Sequence, residues 1–402
     1  MRASPAERAG AQPAGAPRVP RLGVLATHPI QYQAPLYREL ARRGRVDLDV
    51  AFLSDKGIRV YRDAGFGCDV AWDVDLLGGY RHRFLGGTRA RPLRGLNSWL
   101  SEQDVLVVHG HRQPAMLTAA ALATLRRRPY LLRGEAHPAG LGLGSGRWGR
   151  VLRDAVAGRL VRGSAGGLAI GSLNAEFYRR FGAVRQFFAP YSVDNERFRA
   201  TSGPFRADRA SRLQALGLPP DRPVAVFAGK LSPVKRPLDA IAAIAALRGR
   251  MSLLIVGDGP LREAAEHEAR GLPVACTGFI NQADMPRYYA LGDVFVLPSG
   301  VEPWGLTVNE AMACGLLPVV SDQVGSGPDL VAGLGEVYPV GDVAALAAAL
   351  GRAAGTVRDP GTAGEITRRV DAYSLGATAA GFEEATMAAV GGDRSATGDR
   401  VA

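Results

Sequence analysis

Two lysines lie five residues apart in a chain that otherwise carries its positive charge on arginine. The 402 residues include 49 basic side chains, of which only Lys56, Lys230 and Lys235 are lysines. A lysine ammonium is a compact, strongly hydrated point charge. Lys230 directly follows Gly229, and a glycine lets the backbone approach a ligand closely. The segment therefore predicts a site in which two ammonium groups neutralise a diphosphate.

Two glutamates further along the chain are spaced for a helix terminus. Glu302 and Glu310 are eight residues apart, a little over two helical turns, and Glu302 precedes the expected helix start at 304–306. A helix N-terminus presents free N–H groups and a positive dipole end to phosphate. The spacing indicates two carboxylates that reach different parts of one long ligand. An acidic first turn with one solvated glutamate is the alternative explanation.

The segments that carry this chemistry follow short apolar runs typical of buried strands, and helix-like stretches separate these runs. In the first half the runs lie at 22–26, 46–53, 105–108, 130–132 and 168–170, and in the second half at 224–228, 253–256, 274–277, 294–297 and 317–320. This alternation predicts an α/β fold with parallel sheets covered on both faces. Ligands of such sheets bind beyond the carboxyl ends of the strands.

The pattern restarts after a polar, proline-bearing stretch, which predicts two α/β domains of the Rossmann type. We expect the chain to divide into a disordered leader at 1–20, a first domain at 21–195, a second domain at 196–372, a helix at 373–390 that packs back toward the first domain, and a disordered tail at 391–402.

The second half resembles family 4 of the nucleotide-sugar glycosyltransferases, which have the GT-B architecture. The resemblance implies two Rossmann-like domains that face each other across a cleft. The family's E-x7-E pair, its Ala-Met-Ala helix and the strand that follows are matched by Glu302 and Glu310, by 311–315 and by 318–321. One departure is that Leu316 and Leu317 stand where the family has a single residue. The family's upstream segments are matched in order at 229–235, 257–260, 277–279 and 293–299. The resemblance covers nearly all of 190–335 and is weaker over 20–190.

The resemblance implies a donor site on the second domain. Lys230 and Lys235 would bind the donor diphosphate, with Lys230 at a position where the family usually has arginine. Glu302 would hold the hydroxyls of the donor sugar, and Glu310 those of the ribose. The other implied donor contacts are Gly229 and Gly257, the backbone of Trp304, Gly305 and Leu306, and the side chains of Phe279 and Ile280 near the base. The implied reaction is a retaining transfer from a UDP- or GDP-linked sugar to a hydroxyl acceptor, with no cofactor.

The first domain departs from the common pattern of the family. Its first loop, residues 27–33, is polar and aromatic where many relatives have a glycine pair. We expect this loop to form the floor of the acceptor site through His28, Gln31 and Tyr32. Relatives often keep a histidine near the donor sugar and the acceptor. His111 and His137 are equal candidates for this catalytic position, and a hydrogen-bonded loop histidine is the alternative for each.

Two Asp-x-Asp triplets, at 47–49 and 73–75, resemble the metal site of the other glycosyltransferase architecture. We interpret both as strand residues, because residues two apart in a strand share one face, and we expect that face to lie in solvent. The two lysines would neutralise the diphosphate. We therefore expect no metal ion in the reaction.

The net charge of +11 is uneven, with +15 on residues 1–200 and −4 on residues 201–402. Basic surfaces attract phosphates, anionic lipid and nucleic acid. Trp148, Val151, Leu152 and Val156 have helical spacing among arginines, and we expect them to pack on the sheet. Docking on an anionic membrane is the alternative. No apolar run is long enough for a membrane helix, so we expect a cytoplasmic protein, with contact at the inner face of the membrane as the open option.

Other functions fit the sequence less well. A sugar-nucleotide epimerase or phosphorylase on the same fold stays open as an alternative. A dinucleotide-dependent oxidoreductase needs a G-x-G-x-x-G turn after a strand, and the sequence has none there. A nucleic-acid-binding protein would interleave basic and aromatic residues, as 80–84 does, but the donor motif argues against it, so we expect no nucleic acid partner.

Overall fold

The computed structural model describes residues 18–63, 65–85, 95–110, 113–136, 147–183, 185–357 and 359–392. In chain order, the strands are β1 (Arg21–Ala26), β2 (Asp47–Phe52), β3 (Tyr61–Asp63), β4 (Cys68–Val70), β5 (His82–Phe84), β6 (Val105–His109), β7 (Tyr130–Arg133), β8 (Gly166–Ala169), β9 (Gln186–Phe188), β10 (Val224–Ala228), β11 (Ser252–Val256), β12 (Val274–Cys276), β13 (Val294–Leu297), β14 (Leu317–Ser321) and β15 (Glu336–Tyr338).

Helices connect most of these strands. They are α1 (Ala34–Arg43), α2 (Leu96–Ser101), α3 (Pro114–Leu125), α4 (Arg147–Gly163), α5 (Ser172–Arg180), α6 (Asn195–Arg206), α7 (Arg209–Ala215), α8 (Pro237–Ala246), α9 (Arg262–Glu268), α10 (Met285–Tyr289), α11 (Leu306–Ala313), a π-helical turn (Gly327–Val331), α12 (Val343–Thr356), α13 (Pro360–Asp371) and α14 (Leu375–Val390).

The strands form two parallel sheets, and each sheet defines a domain. The N-terminal domain has the order β5-β2-β1-β6-β7-β8-β9, and the C-terminal domain has the order β12-β11-β10-β13-β14-β15. In both, the chain runs outward from a central strand in one direction and then returns to continue in the other. This doubly wound arrangement leaves a crevice at the carboxyl ends of the central strands. The predicted fold class, two Rossmann-like domains in a GT-B arrangement, is confirmed.

Apolar burial explains why these segments became strands. In the C-terminal domain every residue of β10, β11, β13 and β14 is buried. Continuous apolar runs of this kind suit a parallel sheet, because helices cover both of its faces. The sequence runs at 224–228 and 294–297 therefore coincide with strands β10 and β13. The three-residue strands at the sheet edges, such as β5 and β15, have no comparable apolar signal.

The last helix of the chain packs on the N-terminal domain. Ala379, Phe382 and Ala385 of α14 are fully buried in the same cluster as β1, β2 and α1. At the surface of this contact, the guanidinium of Arg43 donates two hydrogen bonds to the Glu383 carboxylate, at 2.7 and 2.8 Å. The chain therefore passes from one domain to the other twice. A hydrogen bond joins the two crossing segments, because Thr378 Oγ1 donates to the carbonyl of Pro190 at 2.7 Å.

Both Asp-x-Asp triplets differ from the sequence prediction. Asp49 lies on β2 but is fully buried, because α2 covers that face of the sheet and the indole of Trp99 donates to its carboxylate at 3.2 Å. Residues 73–75 lie outside any strand. The Asp75 carboxylate instead accepts the backbone amides of Leu77 and Gly78 at 3.0 and 2.9 Å, which fixes a turn. The expectation of two solvent-facing strand pairs was therefore wrong.

The apolar face of α4 also differs from the prediction. Val151, Leu152 and Val156 are 57%, 69% and 37% exposed. The helix packs instead through Ala157 and Val161, which are buried against α3 and its neighbours. The side chain of Trp148 lies outside the described residues. Our expectation that these apolar residues cover the sheet was wrong, because Ala157 and Val161, on another face of the helix, make the contact.

Candidate functional site

Glycine turns bring the carboxyl ends of β10 and β11 into backbone contact. Gly257 has φ +150°, and a Cβ atom there would lie 1.9 Å from the carbonyl oxygen of Gly229. The Gly229 amide donates to the carbonyl of Val256 at 3.0 Å. Any larger side chain at Gly257 would push these loops apart. The two glycines of the predicted donor site therefore fix the segment that carries Lys230 and Lys235.

Both lysines point into the cleft, and each ammonium has a carboxylate partner. Lys235 Nζ donates to Glu302 Oε2, within the C-terminal domain. Lys230 Nζ donates to Asp63 Oδ1 at 2.8 Å, and Asp63 belongs to strand β3 of the N-terminal domain. The side chains of Lys230 and Lys235 keep 38% and 26% exposure. The positive charges are thus neutralised by the protein and open to a ligand at the same time.

Glu302 lies on the loop between β13 and α11, and a second loop fixes its backbone. Its amide donates to the carbonyl of Gln323 at 3.1 Å, and its carbonyl accepts the Gly325 amide at 2.8 Å. The chain then turns at Gly305, which has φ +92°, and helix α11 begins at Leu306. The first-turn amides of this helix have no acceptors within the helix. The predicted helix N-terminus therefore lies immediately beside the predicted sugar-binding acid.

Glu310, in contrast, is inside the protein, with 1% of its surface exposed. Its two carboxylate oxygens accept hydrogen bonds from Gln282 Nε2 and from the Tyr289 hydroxyl, both at 2.8 Å. Tyr32 of the N-terminal domain lies beside the same carboxylate. Burial raises the pKa of Glu310, and these hydrogen bonds only partly offset that effect. The two acids therefore have different environments, one in the cleft and one beneath it.

The predicted acceptor loop lies at the interface of the domains. Tyr32 packs on the core of the C-terminal domain beside Glu310, with Gln31 next to it. The ring of His28 contacts the Thr27 hydroxyl, with His28 Nδ1 and Thr27 Oγ1 2.8 Å apart, and burial and the charge of Lys56 lower its pKa. Their acceptor-binding role stays a prediction. His111 and His137 lie outside the described residues.

The other predicted donor contacts are spread around the same cleft. The Trp304 side chain is buried between the domains, and its Nε1 donates to Asn309 Oδ1 at 2.9 Å. Ile280 packs against the core of the C-terminal domain. The ring of Phe279 meets the ring of Phe66, from the N-terminal domain, edge to face at 4.9 Å. Of the two residues predicted to lie near the base, Phe279 is therefore covered by the N-terminal domain.

Glu135 is a cleft residue that the sequence prediction passed over in favour of His137. It follows β7, and its Oε1 accepts a hydrogen bond from the Tyr191 hydroxyl at 3.0 Å. Burial in the cleft raises the pKa of Glu135, and the nearby charge of Glu302 raises it further. The hydrogen bond from Tyr191 lowers the pKa but does not cancel these two effects. Its position directly after a predicted strand was the available signal. A second acid thus faces Glu302 from the N-terminal side.

A small cavity of about 70 Å³ lies between these groups. The C-terminal domain contributes Leu306, at the start of α11, and the N-terminal domain contributes residues that include Gln33, Arg133, Glu135 and Tyr191. The helix start and the Glu135 carboxylate therefore border one space. Within the described ranges, no three His, Cys, Asp or Glu side chains come together in a way that fits a metal ion.

Comparison with known proteins agrees with this geometry. Residues 222–355 match the family "Glycosyl transferases group 1". This range holds both lysines, both glutamates and strands β10 to β14. This part of the C-terminal domain is similar to the group 1 glycosyl transferases. The resemblance found in the sequence is thereby confirmed.

Curated relatives match this chain over segments about as long as the range 222–355 that the family matches. A sulfoquinovosyl transferase of Arabidopsis thaliana is 32% identical over 139 residues, which is 35% of this chain and 26% of that protein. A GDP-mannose-dependent alpha-(1-6)-phosphatidylinositol dimannoside mannosyltransferase of Mycobacterium tuberculosis is 35% identical over 150 residues, which is 36% of this chain and 38% of that protein. The matches thus span well under half of these relatives.

Solved structures extend the likeness to both domains. HepE of Anabaena, crystallised with UDP, has a TM-score of 0.69 at 17% identity, covering 90% of this chain and 98% of that one. The sucrose-phosphate synthase of Thermosynechococcus elongatus has a TM-score of 0.64 at 18% identity, covering 93% and 100%. At such low identity these neighbours show the GT-B fold, and the matched range 222–355 lies in the second of its two domains.

We expect Lys235→Ala to lower turnover of a nucleotide sugar by about 100-fold, the size typical of losing one group that stabilises developing charge. Lys230→Arg should retain most activity, because it keeps the charge. Initial rates of nucleotide release measure both. Arg270→Ala, which removes an exposed cation of the same glycosyl transferase domain, is the control and should stay within twofold of the parent. Nearly full activity of Lys235→Ala would show that the diphosphate binds elsewhere.

Proposed function

We propose that this protein is a retaining glycosyltransferase that moves a sugar from a nucleoside diphosphate to a hydroxyl group of an acceptor. The observation that carries the proposal is the meeting of Lys235, Glu302 and the start of α11 at one point of the cleft, inside the matched glycosyl transferase domain. Cations and helix amides are the groups that bind phosphate, and a carboxylate beside them suits sugar hydroxyls.

The donor would lie along the C-terminal side of the cleft. Lys230 and Lys235 would hold the diphosphate, Glu302 the sugar hydroxyls, and Phe279 the region of the base. Glu310 would reach the hydroxyls of the ribose once Tyr32 has moved away from its carboxylate. UDP in the HepE crystals and GDP-mannose in the mannosyltransferase's name support a UDP- or GDP-linked donor.

In the reaction, the bond between the anomeric carbon and the leaving phosphate oxygen breaks, and the acceptor oxygen forms a bond to the same face of the sugar. The acceptor hydroxyl proton passes to the departing phosphate, so the nucleoside diphosphate leaves with the proton. Lys230 and Lys235 stabilise the negative charge that develops on that leaving group. This scheme needs no cofactor, and the two ammonium groups replace a metal ion.

The acceptor would approach from the N-terminal side. Glu135 faces the cleft there, with Tyr191 hydrogen-bonded to it. A carboxylate in this position can accept a hydrogen bond from the acceptor hydroxyl and orient its oxygen toward the anomeric carbon. Because both domains line the cavity, bringing them together would exclude water and limit hydrolysis of the donor.

A donor screen tests the proposed function. UDP- and GDP-sugars are incubated with a panel of lipid-linked, phosphorylated and simple glycoside acceptors in excess EDTA, and free nucleoside diphosphate is measured. We expect release from at least one donor, dependent on an acceptor and unaffected by EDTA. Interconversion of the nucleotide sugars without an acceptor would favour an epimerase. Activity lost in EDTA and restored by Mn²⁺ would contradict the role of the two lysines.

The exposed face of α4 favours a lipid surface as a further partner. Val151, Leu152 and Val156 stand in solvent together with the exposed arginines Arg159 and Arg162. An apolar strip beside positive charge is complementary to an anionic bilayer, where each basic residue contributes about 1 kcal/mol. The name of the mannosyltransferase relative, which acts on phosphatidylinositol dimannoside, supports a membrane-borne acceptor. Among the described helices, none is long and apolar enough to cross a membrane.

We expect the protein to co-sediment with anionic vesicles at low salt, much less at moderate salt, and not with neutral vesicles. Val151→Ser combined with Leu152→Ser should reduce binding to anionic vesicles several-fold, because the double change removes most of the exposed apolar surface of α4. Val337→Ser, which removes an exposed valine of the C-terminal domain, is the matched control. Equal binding of both variants and the parent would remove the assignment to α4.

A further inference from the structure

A hairpin of the N-terminal domain covers the part of the C-terminal domain where the donor diphosphate is expected. Strands β3 and β4 pair antiparallel and form this β3–β4 hairpin, which lies outside the main sheets. It has three kinds of contact with the predicted donor residues: an ion pair, a ring contact and a backbone contact.

The ion pair is the first contact. Asp63 Oδ1 accepts a hydrogen bond from Lys230 Nζ at 2.8 Å. The same oxygen accepts the backbone amides of Gly65 and Phe66, at 2.8 and 3.1 Å. The hairpin's own turn therefore orients the carboxylate, which is only 13% exposed. Burial raises the pKa of Asp63, but the hydrogen bonds from Lys230 and the two amides outweigh it, so the net pKa is lowered and the group is charged at neutral pH.

Phe66 and Gly65 provide the other two contacts. The Lys230 ammonium lies 4.8 Å from the centre of the Phe66 ring, and the ring of Phe279 meets the Phe66 ring edge to face at 4.9 Å between centres. The hairpin backbone also lies close to the glycine turn, because a Cβ atom on Gly259 would come 3.0 Å from the Gly65 carbonyl oxygen. One hairpin thus touches the lysine, the aromatic residue and the glycine turn assigned to the donor.

Two negative groups compete for one ammonium in this arrangement. A diphosphate on Lys230 would lie beside the Asp63 carboxylate, and like charges at that distance repel. The carboxylate has replaced part of the hydration of Lys230, so the charge of this lysine is already paired within the protein. Binding of an anionic ligand must therefore exchange one anion for another.

We propose that Asp63 is the internal counter-ion of the donor site, which a nucleoside diphosphate displaces from Lys230, so that donor binding releases the β3–β4 hairpin from the C-terminal domain. This inference rests on the proposed function, because it takes the ligand of Lys230 to be the donor diphosphate. Asp63 acts as a positioning residue through Lys230. Part of the donor's binding free energy is then used to move the hairpin, which lowers its apparent affinity.

Asp63→Asn separates the charge from the local structure. An asparagine Oδ1 can still accept the amides of Gly65 and Phe66, so the turn is kept, whereas the attraction for Lys230 is largely lost. Asp69→Asn is the matched control, because Asp69 lies on β4 of the same hairpin, 65% exposed and 3.6 Å from the equally exposed Arg62. Both variants remove one negative charge from one hairpin.

Calorimetry with UDP and with GDP, in EDTA, compares the parent and the two variants. We expect Asp63→Asn to bind the preferred nucleotide about tenfold more tightly than the parent, and Asp69→Asn to stay within twofold. In turnover assays the gain should lie in a lower KM for the nucleotide sugar. An unchanged or weaker affinity of Asp63→Asn, in a parent protein that binds nucleotide, would overturn the counter-ion role and leave the proposed function standing.

Hydrogen exchange gives a second readout that does not depend on the variants. Saturating nucleoside diphosphate should increase amide exchange in the peptide that spans β3 and β4 of the parent protein. A hairpin that closes over the nucleotide would be protected instead, and this result would overturn the inference. Absence of nucleotide binding by all three proteins, together with no turnover of any nucleotide sugar, would reject the proposed function itself.

Discussion

Charge neutralisation in a partly dehydrated cleft is the constraint on which the rest of the site depends. Lys230 and Lys235 lie where the two domains meet, and each has a carboxylate within hydrogen-bonding reach. Removing a charge from water is costly unless it is paired. The protein meets this cost with Asp63 and Glu302, and a ligand that replaces them on the lysines must bring its own negative charge. The selectivity for diphosphate that we propose follows from this exchange.

In this fold, backbone contacts hold the segments that carry the charged side chains in place. Glycine turns after β10 and β11 lock the lysine segment against its neighbour, and Gly305 sets the start of α11 beside Glu302. The second crossing of the chain and α14 hold the N-terminal domain against this face. Because the cleft is built from both domains, small changes in their contact alter the site, which suits an enzyme that must admit two substrates and exclude water.

The sequence predicted the strands of the C-terminal domain well, because their signals are local, and it gave local motifs for the site residues there. Strands β10, β11, β13 and β14 are continuous apolar runs, and Glu302 and Glu310 belong to a fixed spacing. The contacts of Asp63, Phe66 and Tyr32 with the C-terminal domain join residues that are far apart in the chain. Such contacts cannot be predicted from the periodicity of the sequence. Strands β3 and β4 have three residues each, too short for an alternating pattern. The position of Glu135 just after β7 could have marked it as a cleft residue, but the prediction named His137, two residues later, instead.

The exposed strip on α4 illustrates the opposite failure. Helical spacing of apolar residues is typical of a buried face, yet here another face of the helix makes the contact and Val151 and Leu152 stay in solvent. Sequence periodicity identifies an apolar face, but it does not say what covers that face. The buried Asp49 makes the same point for polar residues, because its partners Trp99 and Arg83 come from other elements.

The claim that two protein cations hold a diphosphate is tested most directly by the affinities of nucleotides that differ by one phosphate. Calorimetry in excess EDTA would compare the nucleoside monophosphate, the diphosphate and inorganic pyrophosphate on the parent protein. The account predicts that the diphosphate binds at least tenfold more tightly than the monophosphate, and that pyrophosphate competes with it. Equal affinity for the monophosphate and the diphosphate, or binding that requires a divalent metal ion, would contradict the account.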